Sequence, residues 1–130
     1  MNMYQEILKE TYRLTNDGEL DTFKRYLSPN VSWTEAKGFP YAGTYVGPDE
    51  VVKQVQQRLG TEWKDYQAKD VLYAFNGNLV IVYGQYSGTY MHTGKSFVAD
   101  FCHVYTFDSN NQIEKMIQVV DSATVNEVLQ

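Results

Sequence analysis

Residues 79–107 read LVIVYGQYSGTYMHTGKSFVADFCHVYTF, and their pattern decides the fold. Leu79 to Met91, opening on the apolar run Leu79 to Tyr83, and Lys95 to Phe107 each read as a long strand, with Thr93-Gly94 turning the chain between them. Side chains on a strand point to its two faces in turn. On the second strand Phe97, Ala99, Phe101, His103 and Tyr105 share one face, while Val98, Asp100, Cys102 and Val104 share the other. The aromatic-bearing face is read as inward, which carries His103 into the interior.

The pattern extends in both directions. Tyr66 to Phe75 forms a strand closed by Asn76-Gly77, a strong hairpin signal, and Gln112 to Val120 forms the last strand after Asp108-Ser109-Asn110-Asn111. Near the N-terminus the period lengthens to that of a helix. Tyr4, Ile7, Leu8, Thr11 and Leu14 mark one helical stripe, broken by Asn16-Asp17-Gly18. Leu20, Phe23 and Leu27 mark a second short helix, ended by Ser28-Pro29-Asn30 because the residue before a proline avoids the helical region. Val31 to Glu35 alternates as a strand, with Val31, Trp33 and Glu35 on one face, and residues 38–47 form a loop rich in glycine and aromatics. Gly47-Pro48-Asp49-Glu50 opens a third helix whose inner face is Val51, Val52, Val55 and Leu59 and whose stop is Gly60. Asp121 to Leu129 is a short final helix or tail, capped by Asp121 or Ser122.

Three N-terminal helices segregated from a strongly curved, mostly antiparallel sheet make an α+β fold, expected as one domain over residues 1–130. Such a sheet folded around helices leaves a cone open at one end, and the hollow of the cone is the default binding site. The chain carries 11 Lys and Arg against 16 Asp and Glu, so it has no basic surplus to neutralise phosphates or an anionic membrane surface. One cysteine, Cys102, excludes an intrachain disulfide and a cysteine-based zinc site, and fits a reducing, cytoplasmic setting. Two separated histidines and no acid cluster predict no metal site, and no glycine-rich nucleotide fingerprint is present. Residues 1–6 show neither a basic n-region nor an apolar core, so no signal peptide is expected.

Several segments together carry a family resemblance. They are Gly18-Glu19-Leu20-Asp21, Leu27-Ser28-Pro29-Asn30-Val31, Tyr45-Val46-Gly47-Pro48-Asp49-Glu50-Val51, Gly84-Gln85-Tyr86-Ser87-Gly88-Thr89-Tyr90 and His103-Val104-Tyr105-Thr106-Phe107. In this element order they resemble the NTF2-like superfamily, most closely its SnoaL-like and ketosteroid-isomerase-like branches. The resemblance implies the cone fold, homodimers with sheets packed back to back, and a site that needs no cofactor. In ketosteroid isomerases a carboxylate near the end of the first strand moves the proton, and the matching residue here is Glu35. Two donors hold the enolate oxygen in those enzymes. The tyrosine on the first helix is matched by Thr11, with Tyr12 placed on a different helical face, and the acid on the third long strand is matched by His103. Both substitutions depart from the isomerase pattern, and a histidine at the second position is in keeping with SnoaL-like proteins.

Glu35 beside Trp33 is expected to be partly desolvated, which raises its pKa and suits proton transfer; the alternative is a strand-end carboxylate dipping into water. His103 is expected to donate to a ligand carbonyl or to pair with Glu35; the alternative is a core histidine satisfied by neighbours. Gln118 is placed on the inner face of the last strand, orienting a ligand or holding His103. Tyr41 and Tyr45 are expected near the cone opening; Tyr86 is read equally as a ligand contact or as part of a tyrosine-rich sheet face packed on a second subunit, and Trp63 as core or pocket wall. Asp121 is either a second acid at the pocket or a helix cap. Two functions fit these residues: proton transfer on a small hydrophobic carbonyl compound, as an isomerase, cyclase or dehydratase, or binding of such a molecule without catalysis. A third reading is a structural homodimer whose aromatics fill the cone.

Overall fold

The computed structural model describes residues 2–130. Helix α1 (Met3–Asn16) opens on Asn2, whose side chain accepts from the backbone N–H groups of Tyr4 and Gln5. It is followed by α2 (Leu20–Lys24), β1 (Leu27–Glu35) and β2 (Gly43–Val46). A composite helix comes next: α3 (Pro48–Val51), a π-helical turn over Val52–Gln56, and α4 (Gln57–Glu62). The meander β3 (Trp63–Asn76), β4 (Leu79–Tyr90), β5 (Ser96–Phe107) and β6 (Ile113–Val120) leads to α5 (Ser122–Glu127). Among the described residues, no helix is long and apolar enough to cross a membrane.

The six strands form one sheet in the order β2-β1-β6-β5-β4-β3, antiparallel except where β1 runs parallel to β6. Inward residues alternate along β5 as the sequence predicts: Phe97, Ala99, Phe101, His103, Tyr105 and Phe107 are all buried. Register then decides which side chains meet. His103 stands opposite Val82 on β4 and Gln118 on β6, and Trp33 stands opposite Met116. Next to a register shift between β3 and β4, Gly84 lies opposite Phe101. A Cβ on Gly84 would sit 2.2 Å from the Lys69 carbonyl oxygen and 2.5 Å from the Phe101 ring, so β3 and Phe101 close over this position because it has no side chain.

Four local expectations are corrected. Leu27 begins β1 rather than closing the second helix. Ser28-Pro29-Asn30 falls in a register shift between Leu27 and Ser32, where proline's missing N–H costs no ladder bond. The loop over 38–47 contains a short strand, Gly43–Val46, paired with β1 and tied by the Thr34 and Thr44 hydroxyls at 2.9 Å. Gly60 does not stop its helix: it lacks the left-handed backbone of a C-terminal glycine, and helix continues to Glu62. The π turn advances the helix face, so Val51, Val52 and Val55 stay buried while Gln56 and Gln57 reach the rim of the cone.

Candidate functional site

The interior of the cone holds a cavity of about 480 Å³. Its walls include Trp33, Glu35, Trp63, Tyr86, His103 and, from α1, Tyr12. Exposed residues at the α1–α2 turn (Asp17, Gly18), in α4 (Gln57, Gly60) and at the start of β3 (Asp65, Gln67) also line it and form its mouth. The aromatics therefore line the cone without filling it.

Glu35 ends β1 on the inward face and is buried. Removal from water lifts its carboxyl pKa from 4.5 to about 8, and the neighbouring Trp33 indole N–H pulls the other way without closing a hydrogen bond. Its Oε2 has no hydrogen-bond partner. Trp33 Nε1 and the Tyr66 hydroxyl are likewise buried, unpartnered and on the cavity lining. Buried polar atoms are nearly always paired in folded proteins, so these three atoms leave the hollow with polar groups that water or a guest can satisfy.

His103 sits in a continuous polar chain. Its Nδ1 is 2.7 Å from the Tyr12 hydroxyl and its Nε2 is 2.5 Å from the Tyr86 hydroxyl. Tyr105 donates to Tyr12 at 3.0 Å, and Gln118 Nε2 donates to Tyr86 at 2.8 Å. Gln118 Oε1 accepts from the Ala36 backbone N–H at 2.9 Å, so one amide ties the residue after Glu35 to the imidazole chain. Phe101 stacks on the His103 ring at 4.1 Å. Burial lowers the His103 pKa from 6.5 to about 3, so the ring is neutral near pH 7.

Several expected roles change. Both His103 nitrogens are engaged by tyrosines, so no ring N–H is left for a ligand and no bond to Glu35 is made. Tyr12 is buried on the inward side of α1 and reaches the cavity, correcting its placement on another helical face. Thr11 is buried too, but its hydroxyl donates to the Leu8 carbonyl in its own helix at 2.8 Å. The signal was present: Leu8, Thr11 and Tyr12 are spaced i, i+3, i+4, and a buried helical stripe is wide enough for both neighbours. Tyr66 and Tyr105 also bring phenol hydroxyls to the cavity, and sequence reasoning named neither as a site residue.

Tyr41 and Tyr45 do not line the cavity. Tyr41 donates to Glu62 Oε1 at 2.6 Å and accepts from Trp63 Nε1 at 2.9 Å, while Tyr45 donates to the Tyr41 carbonyl at 2.8 Å. Together they pin the 38–47 loop to the end of α4. Gln118 holds the network from behind the wall. Asp121 is exposed and caps α5, accepting from the Thr124 N–H and hydroxyl, so it is no pocket acid.

The SnoaL-like domain model matches residues 8–116. An NTF2-like protein from Burkholderia thailandensis E264 is 36% identical, with all of this chain and 99% of that chain covered and a TM-score of 0.92. TerC, co-crystallised with polyporic acid, is 19% identical with 97% of each chain covered and a TM-score of 0.85. A protein of ketosteroid-isomerase-like fold from Catenulispora acidiphila DSM 44928, in complex with trimethylamine, is 10% identical, with 95% of this chain and 91% of that chain covered and a TM-score of 0.84. Among curated proteins, none matches the chain.

Proposed function

The chain belongs to the SnoaL-like domain family, and on that premise we propose that its cone binds a small hydrophobic carbonyl compound and moves a proton next to that carbonyl. The observation that carries this reading is Glu35: a buried carboxyl with an unpartnered oxygen, facing the same hollow as the Tyr12 hydroxyl. In the forward step the Glu35 carboxylate takes a proton from the carbon beside the carbonyl, becoming the acid as the ligand becomes an enolate. The electron pair moves onto the carbonyl oxygen, where a hydroxyl donor stabilises it. Return of the proton to a different carbon completes an isomerisation, and expulsion of a leaving group or attack on a second carbonyl gives a dehydratase or cyclase. With a pKa of about 8, roughly a tenth of Glu35 is ionised at pH 7, and that fraction is a stronger base than an ordinary carboxylate. TerC and the Catenulispora protein each hold a small organic molecule, which supports a binding role for this fold.

The test is proton exchange rather than a guessed product. Cyclic ketones incubated in D2O with the protein should gain deuterium at the carbon beside the carbonyl, and Glu35→Gln should slow this by ~10²–10⁴-fold. Equal exchange by both forms, or none by either, overturns catalysis. One observation favours the second reading, a binding module: Tyr12, His103, Tyr86 and Gln118 satisfy one another without a guest. Ligand retention without exchange would establish it.

The outer sheet face supports a homodimer. Val98 and Val119 are 60% and 59% exposed, and Ile81 and Ile117 stand on the same face. A second copy covering this face would remove these side chains from water.

A further inference from the structure

We infer that Gln118 sets the direction of the hydrogen-bond chain through His103, holding the imidazole proton on Nδ1 and turning the Tyr12 hydroxyl proton into the cavity. The direction is fixed at one end by a group with no choice. A backbone N–H can only donate, and that of Ala36 occupies Gln118 Oε1. The amide nitrogen of Gln118 therefore faces Tyr86 and donates to it. Having accepted there, the Tyr86 hydroxyl sends its own proton to its remaining partner, His103 Nε2. A neutral imidazole carries one proton, so that proton is on Nδ1, and it is donated to Tyr12.

Tyr105 also donates to Tyr12. Both lone pairs of the Tyr12 oxygen are then occupied, and its own proton has no acceptor within the protein. Tyr12 lines the cavity, so that proton is offered to a guest. The reverse arrangement is disfavoured at Nδ1. The Tyr105 hydroxyl lies 3.3 Å from Nδ1 and has already given its proton to Tyr12, so it can only accept there: a proton on Nδ1 meets two acceptor oxygens, whereas a bare Nδ1 would face the Tyr105 lone pairs. Gln118 touches neither ligand nor Tyr12, so it is a positioning residue. The tautomer follows from the hydrogen bonds alone; only the use of Tyr12 on an enolate oxygen rests on the acid–base reading.

The test reads the tautomer directly. The full chain is labelled with 15N, kept ligand-free at pH 7, and studied by long-range 1H–15N correlation spectra, which separate protonated from bare ring nitrogens. The exposed His92, the other of two histidines, is replaced by Gln to leave one signal. The expected result is a single His103 species protonated on Nδ1, and a mixture of both tautomers in Gln118→Met. A proton on Nε2 in the unsubstituted network overturns the inference, and so does an unchanged Nδ1 species in folded Gln118→Met. Should that variant not fold, Tyr86→Phe cuts the same chain one link later and must also yield the mixture; a pure Nδ1 species there overturns the inference equally. No turnover is measured, so an inert cavity would refute the proposed chemistry and leave the tautomer standing, and a wrong tautomer would do the reverse.

Discussion

Replacing Glu35 by Gln should remove the alkaline loss of stability. The folded carboxyl titrates at about 8, against 4.5 for the exposed group, so between these values the folded state binds more protons than the unfolded state. Stability then falls as pH rises, by about 1.4 kcal/mol per pH unit at the steepest. His103 has the opposite sign. Its folded pKa of about 3 lies below 6.5, so the unfolded state binds more protons between these values and stability rises with pH. The two slopes cancel from about pH 4.5 to 6.5, leaving a plateau. Above it Glu35 acts alone and costs about 2 kcal/mol between pH 6.5 and 9. Urea unfolding at several pH values reads this as a midpoint shift of about 1 M for a slope near 2 kcal/mol per M. Glu35→Gln should flatten the alkaline arm and turn the plateau between about pH 4.5 and 6.5 into a rise with pH, because the His103 slope is no longer cancelled there. Parallel curves for the two proteins would refute the reasoning, because they would mean that Glu35 is already ionised and solvated in the folded state.

Three further outcomes follow from the packing. Gly84→Ala should lower the melting temperature, because its methyl would press on the Lys69 carbonyl and the Phe101 ring; overpacking of this kind costs about 1–3 kcal/mol, measurable by calorimetry. Asp121→Ala should cost about 1 kcal/mol through the lost α5 cap, by chemical denaturation, while leaving cavity exchange chemistry unchanged. Val98→Asp combined with Val119→Asp should convert the proposed homodimer to monomer in sedimentation measurements, since both side chains stand exposed on the outer sheet face; an unchanged mass would overturn an interface on this face.

The strand half of the molecule was legible because a period of two leaves only two choices of face. Once Phe97, Phe101 and Tyr105 were read as inward, His103 had to follow, and Trp33 fixed Glu35 in the same way. Helix α1 offered no such certainty. Adjacent residues there differ by about 100° in direction, so Thr11 and Tyr12 competed for one place and the structure buries both. The mouth of the cone was also hidden. The 38–47 loop carries the aromatics expected at an opening, yet the Tyr41 hydroxyl locks it to Glu62 and Trp63, and the opening lies among the α1–α2 turn, α4 and β3. Which end stays open depends on where helices stop, and the end of α4 depends on a π turn that no local residue preference announces.

Sequence reasoning allowed Glu35 and His103 to pair, and the structure explains why they do not. Burial pushes an acid up and an imidazole down, so each is driven toward its neutral form. Transferring the Glu35 proton to His103 would run against both shifts, because it would make two buried ions out of two neutral groups. The cavity therefore holds an acid and an imidazole that are both largely uncharged at neutral pH. An uncharged guest can enter without burying a lone ion. In the proposed reaction, charge arises on the guest's oxygen only as a proton leaves its carbon, where the inferred direction of the hydrogen-bond chain offers it the Tyr12 hydroxyl. A fixed donor in a dry hollow does not have to reorganise when that charge appears, which is what a proton-transfer site requires.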